Sequence, residues 1–374
     1  MTASERFRRY LAGQSVDRMP AIEWAPWWHL TLGRWHAEGL PAACASVDEI
    51  QGFFGLDKCL QTGVSYFTPT SPAVIPGSGI GCMENEQDWA RIRPTLFPDV
   101  RSVIPQAHFD YLRATHARGD TLHFFTVEGF FWYPRVLFGI ENHLYSFYDY
   151  PELYKEMCAA YADWLVELFD YVFSQFHFDF MSFAEDMSYN SGPMISKDCF
   201  DEFLAPFYRK VIPVIHKHGI PVFIDSDGDI TMAVDWYASV GADGMFPLER
   251  QAGVDVSTYL DKQPGMAFLG HFDKMCMKHG KDAMRAEFER MLPSLLRGKV
   301  IASVDHQTPP DVSIDNYREY VSLLHEYSAR VTHKQGGISP CPVFENEFAS
   351  NFASSFASSF ASNFASNFAS KEKE

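Results

Sequence analysis

From residue 121 onward the chain repeats one rhythm: a short unbroken apolar run stops on polar residues, and a longer amphipathic stretch follows. The runs cover 122–127 before Glu128, 178–184 before Glu185 and Asp186, and 221–224 before Asp225 and Asp227. They continue over 244–248 before Glu249, 266–270 before His271, Asp273 and Lys274, and 300–304 before Asp305 and His306. Largely apolar runs of this length, rather than alternating ones, suit strands buried on both faces of a parallel sheet. Between the runs, 151–176, 197–218, 230–240, 281–296 and 316–329 carry apolar residues at helical spacing. Strand and helix alternating this often predicts an α/β protein with a parallel sheet.

The first third is less regular. Phe7, Tyr10 and Leu11 fall on one helical face, with Thr2 or Ser4 as a cap, and 21–24 reads as a first strand. Residues 25–120, rich in aromatic, Pro and Gly residues, read as loops and short helices over the sheet. Six units, the strand at Ile22 and a further strand near Leu60 together predict a closed (β/α)₈ barrel, a TIM barrel, over residues 1–335. An open doubly wound sheet is the alternative. No G-x-G-x-x-G follows an early strand, which weakens its dinucleotide-binding form. From Phe344 the composition changes: four-residue units of Phe, Ala, Ser and Asn or Ser run almost to the end. Residues 344–374 have no second apolar class with which to build a core and read as a disordered low-complexity tail, set apart by Pro340 and Pro342.

The formal charge of −17 disfavours a nucleic-acid partner, because an acidic surface repels phosphate. No apolar run reaches the roughly 18 residues of a membrane span, and the first twenty residues lack a signal peptide's apolar core. The seven cysteines are scattered and form no C-x-x-C pair. That pattern predicts free thiols and a cytoplasmic location.

In a barrel of this kind the residues that end the strands gather around one mouth. They are Glu128, Glu185, Asp186, Asp225, Asp227, Glu249, His271, Asp273, Asp305 and His306. So many carboxylates repel one another unless a cation sits among them: a divalent metal, Lys274, Arg250 or a cationic substrate. Carboxylates with two imidazoles make a plausible zinc site with an open position. Blander roles compete. Asp229 and Asp311 read as helix caps; Asp305 could do no more than orient His306; His29, His116 and His177 read as surface or core fillers. The stretch Asp225-Ser-Asp-Gly-Asp resembles a calcium loop only superficially, since Ile230 and Trp236 stand where an EF-hand requires Gly and Glu.

Residues 222–327 resemble the uroporphyrinogen decarboxylase superfamily, which includes corrinoid-dependent methyltransferases. The opening Arg9-Tyr-Leu-Ala-Gly-Gln-Ser-Val-Asp-Arg-Met-Pro20 is similar to that family's start. Pro247-Leu-Glu, Phe272-Asp-Lys and Asp305-His-Gln-Thr-Pro-Pro-Asp look like those of a subgroup. The resemblance implies the same barrel fold. It departs from both well-known branches. The decarboxylases' Arg-rich N-terminal motif keeps only Arg34 here, within residues 31–41. Asp225 and Asp227 occupy the place of the thiol-directed methyltransferases' His-x-Cys, and Ala302 stands near their later Cys ligand.

The resemblance therefore implies a metal-assisted enzyme that moves a methyl group from a small methylated substrate to a corrinoid carried by a partner protein. Zinc or another divalent metal would be held by Asp225, Asp227, Glu249, His271 and His306. Asp273, Lys274, Asp305 and His306 are the candidates for the chemical step, and Arg34, Glu128, Glu185 and Asp186 for holding substrate. The alternative is a cofactor-free decarboxylase of a tetrapyrrole or smaller acid, using Arg34, Lys274 and an Asp. A non-catalytic binding barrel is the third reading.

Overall fold

The computed structural model describes residues 1–74 and 79–332. The expected domain end at 335 and the tail at 344–374 lie outside them. Seven strands form one parallel sheet in sequence order: β1 (Lys58–Gly63), β2 (Thr121–Glu128), β3 (Phe180–Ala184), β4 (Val222–Ser226), β5 (Gly244–Pro247), β6 (Ala267–Phe272) and β7 (Val300–Val304). Every neighbouring pair is parallel, so all seven carboxyl ends lie along one edge. β5, β6 and β7 are buried at every position, the polar His271 and Ser303 included, as suits their largely apolar sequences.

The expected closed eight-stranded ladder is not formed. The eighth segment, around Ile22, makes only an isolated parallel bridge to Asp57, reinforced by a 2.9 Å bond from the Asp57 amide to the Ala21 carbonyl. Its other side meets β7 largely through side chains. Ser303 Oγ donates to Glu23 Oε1 at 2.5 Å, and Trp24 Nε1 donates to the Val304 carbonyl at 2.9 Å. Pro20 and Pro26 bracket this segment, and the missing N–H and fixed φ of proline leave too little backbone for a ladder.

Helices cover the sheet where the sequence pattern places them. Helix Pro151–Gln175 and helix Lys281–Leu296 follow the expected spans closely. The stretch read as one helix over 197–218 is two, Lys197–Phe203 and Ala205–Lys217, broken at Leu204. Pro206 stands in the first turn of the second helix, where its missing N–H costs no intrahelical bond. The helix expected over 230–240 shortens to Ala233–Ala238, and Asp229 instead accepts a bond from the Thr231 amide at 2.9 Å. Asp311 does not cap the last helix, Ile314–Arg330. Ser313 does, and Asp311 pairs with Lys278 Nζ at 3.1 Å.

The first helix, Ala3–Leu11, is capped by Thr2 as read. The 25–120 region is better ordered than its composition suggests. It contains helices His29–Ala37, Val47–Phe54, Glu86–Ile92 and Gln106–His116 besides β1. Among the described residues six cysteines are free thiols, and no helix is long and apolar enough to cross a membrane.

Candidate functional site

The carboxyl edge of β2–β7 carries the acidic cluster, and the parallel ladder puts its members side by side. Asp227 leaves β4, Glu249 follows β5 and His306 follows β7. One ligand atom from each lies within 4.8 Å of the others, and all three residues are half-buried. His306 Nε2 stands 3.5 Å from Asp227 Oδ2, and the Gly228 amide donates to Glu249 Oε2 at 3.2 Å. The Asp227 carboxylate beside His306 raises the imidazole above its usual pKa.

Two further carboxyls crowd this group. Asp186 Oδ1 accepts the Asp227 amide proton at 3.1 Å. Burial, followed by the Asp227 charge, pushes Asp186 up to about 6. Burial and the Asp186 and Asp227 charges push Asp225 well above the carboxylate range. Lys274 answers part of this charge, with Nζ 3.2 Å from Glu249 Oε1 and 3.7 Å from Asp305 Oδ1. Asp305 is fully buried and accepts the amides of Arg250 at 2.9 Å and Lys274 at 3.1 Å, while burial raises it to about 6.

The other expected site residues are held elsewhere. His271 is fully buried and faces the helix layer. Its Nε2 is the acceptor for the Val256 amide at 3.4 Å and Arg290 Nη1 at 3.2 Å, and its Nδ1 faces the Leu248 carbonyl at 3.4 Å. Burial first, and Arg290 and Arg250 next, lower it to about 3, so the neutral imidazole is a structural hydrogen-bonding hub. It stands apart from the Asp227–Glu249–His306 group: its backbone is left-handed (φ 70°) and its ring is held by Val256 and Arg290. Asp273 caps the 3₁₀ turn Lys274–His279 through the Met275 amide at 2.8 Å. Arg34 pairs with Glu38 at 2.6 Å and donates to the Pro310 carbonyl at 3.1 Å, tying helix His29–Ala37 to the loop after β7.

Glu185 is fully buried and fully engaged. Oε2 accepts the amides of Phe131 at 3.0 Å and Trp132 at 3.2 Å; Oε1 accepts Tyr208 Oη at 2.5 Å and Tyr237 Oη at 3.3 Å. Burial raises it to about 7. It thereby fixes the start of helix Trp132–Phe138. That helix and Glu128 line a cavity of about 480 Å³, with Phe67, Thr68, Ile80 and Ile140 on its other sides. Burial raises Glu128 to about 7, against the opposing effect of the Tyr66 hydroxyl beside it.

Arg135 in this cavity and the fully buried Glu23 escaped the sequence reading. Both could have been sought there: Arg135 comes seven residues after the strand end at Glu128, and Glu23 ends the first apolar segment.

The donor set fits a divalent cation. Two carboxylates and an imidazole are ordinary oxygen and nitrogen ligands for zinc. Like charges forced together by Asp186, Asp225 and Asp227 are relieved by a cation among them. Lys274 already pairs with Glu249, so an ion held there would share that carboxylate with the ammonium.

The chain is similar in structure to a methyltransferase from Methanosarcina mazei, with a TM-score of 0.58 and 14% identity over 87% of this chain and 99% of that one. This likeness shows a shared fold. A B12-independent methionine synthase from Shewanella sp. W3-18-1 gives a TM-score of 0.46 and 12% identity over 84% of this chain and 93% of that one. No curated protein sequence matches the chain. Residues 135–327, more than half of the 374, match the uroporphyrinogen decarboxylase (URO-D) family, and the chain belongs to that family.

Proposed function

We propose that this protein is a metal-assisted, methyltransferase-like member of the URO-D family, moving a methyl group from a small methylated substrate to a corrinoid protein. The observation that carries the reading is the convergence of Asp227, Glu249 and His306 from three different strands. A bound zinc or similar ion would supply a Lewis acid that draws electrons from the oxygen or nitrogen bearing the methyl group. Asp227, Glu249 and His306 would hold it, while Asp225 lies behind them and His271 serves the scaffold.

The chain's own groups support the same chemistry. Lys274, held between Glu249 and Asp305, places an ammonium where negative charge develops on a leaving atom. Asp305 fixes the backbone of Arg250 and Lys274 and so positions that ammonium. The acidic wall also argues against a porphyrinogen with many carboxylates, each of which would meet like charge.

The test measures metal content of the purified protein by elemental analysis, then demethylation of methoxylated and methylamine compounds with a corrinoid protein present. About one metal per chain with corrinoid methylation is the expected result. Metal-free protein that decarboxylates uroporphyrinogen efficiently would overturn the reading in favour of the decarboxylase.

A further inference from the structure

Beside the acidic cluster, the cavity beyond β2 contains a cation with no partner of its own sign-opposite kind in contact. Arg135 is half-buried, lies 4.6 Å over the Trp132 ring and makes no side-chain hydrogen bond or salt bridge among the described residues. It lines the cavity of about 480 Å³, a volume within the usual range for small-molecule sites. The remaining walls are mainly apolar or aromatic: Phe67, Pro72, Ile80, Val136 and Ile140.

A guanidinium that has given up part of its water, with Asp186 acting on it but no carboxylate hydrogen-bonded to its fork, can take one from a ligand. Its planar fork suits a carboxylate, and the aromatic and branched walls suit a flat apolar body. Burial raises the Glu128 carboxyl, which lessens its opposition to an anion. Asp186 acts electrostatically on both Arg135 and Asp227.

We infer that this cavity binds an aryl carboxylate, with the carboxylate on Arg135 and the ring against Trp132, Phe67 and Ile140. The inference rests on the methyl-transfer reading only for what happens to the substrate's methyl group; binding stands by itself. Calorimetry with the full chain tests it, using 4-methoxybenzoate, 4-methoxybenzyl alcohol and 4-methoxybenzylamine, which differ in charge at one end. The acid should bind at least tenfold more tightly than the alcohol or the amine. Arg135→Gln should abolish that preference, and Arg135→Lys should retain part of it, each with an unchanged melting temperature. Equal binding of acid and alcohol, tighter binding of the amine, no binding of any probe, or an Arg135→Gln variant that keeps the preference would each overturn the inference. His306→Ala should bind the acid as the parent does. In the parent, supplied with metal and a corrinoid protein, acid binding without demethylation would overturn the methyl-transfer reading and leave this one standing.

Discussion

Asp227 and His306 leave strands β4 and β7, which are separated by two others, yet their side chains meet with Oδ2 3.5 Å from Nε2. Curvature of the sheet closes that gap, and it also brings Glu249 to the same point. The raised pKa of His306 is a consequence, because its charged form is stabilised by Asp227.

Loss of either ligand should therefore be read first in metal binding. His306→Ala and Glu249→Gln are each expected to weaken zinc affinity at least tenfold, since even removal of an outer partner of a metal ligand typically costs about 10–100-fold. Both residues are half-buried at the mouth and outside the core, so circular dichroism and melting of the metal-free protein should change little. Equal zinc affinity in parent and variants, by competition with a chelating dye, would remove these residues from the site.

Gly129 is expected to tolerate no side chain. A Cβ there would collide with Glu185 Oε2 and stand 2.6 Å from Tyr208 Oη, both on fully buried residues. Gly129→Ala should destabilise the fold by about 1–3 kcal/mol, the usual cost of overpacking. It should also loosen helix Trp132–Phe138, whose first amides Glu185 holds. Urea denaturation checks the first effect, and proteolysis near residue 131 the second.

Glu23 sets a pH dependence of stability. Burial lifts its carboxyl to about 8, against about 4.5 when unfolded. A raised folded-state value means the folded chain holds the proton more tightly. The contribution is fully present below pH 4.5 and is lost as pH rises through about 8. Glu23→Gln cannot lose a proton and still accepts from Ser303. Its stability relative to the parent should therefore be greater at pH 8.5 than at pH 5. Parallel stability curves for the two proteins across that range would show that Glu23 does not titrate in this way.

The sequence by itself determined the parallel α/β architecture, since unbroken apolar runs such as 300–304 require burial on both faces. It also placed Asp227, Glu249 and His306 at strand ends, because a run that stops on a polar residue marks where the strand leaves the core. Tertiary structure alone decided which strand-end groups meet. His271 and His306 have the same position in the pattern, yet Arg290 and Val256 draw one into the helix layer and Asp227 holds the other at the mouth. Glu185 likewise reads as a mouth carboxylate, but four donors, three on different helices and the fourth at Phe131 just before one of them, enclose it. Side-chain direction at a strand end depends on the local backbone turn and on what distant elements offer as partners. The Ile22 segment shows the same dependence: its two flanking prolines are written in the sequence, but only the folded chain shows Glu23 and Trp24 meeting β7 at the seam.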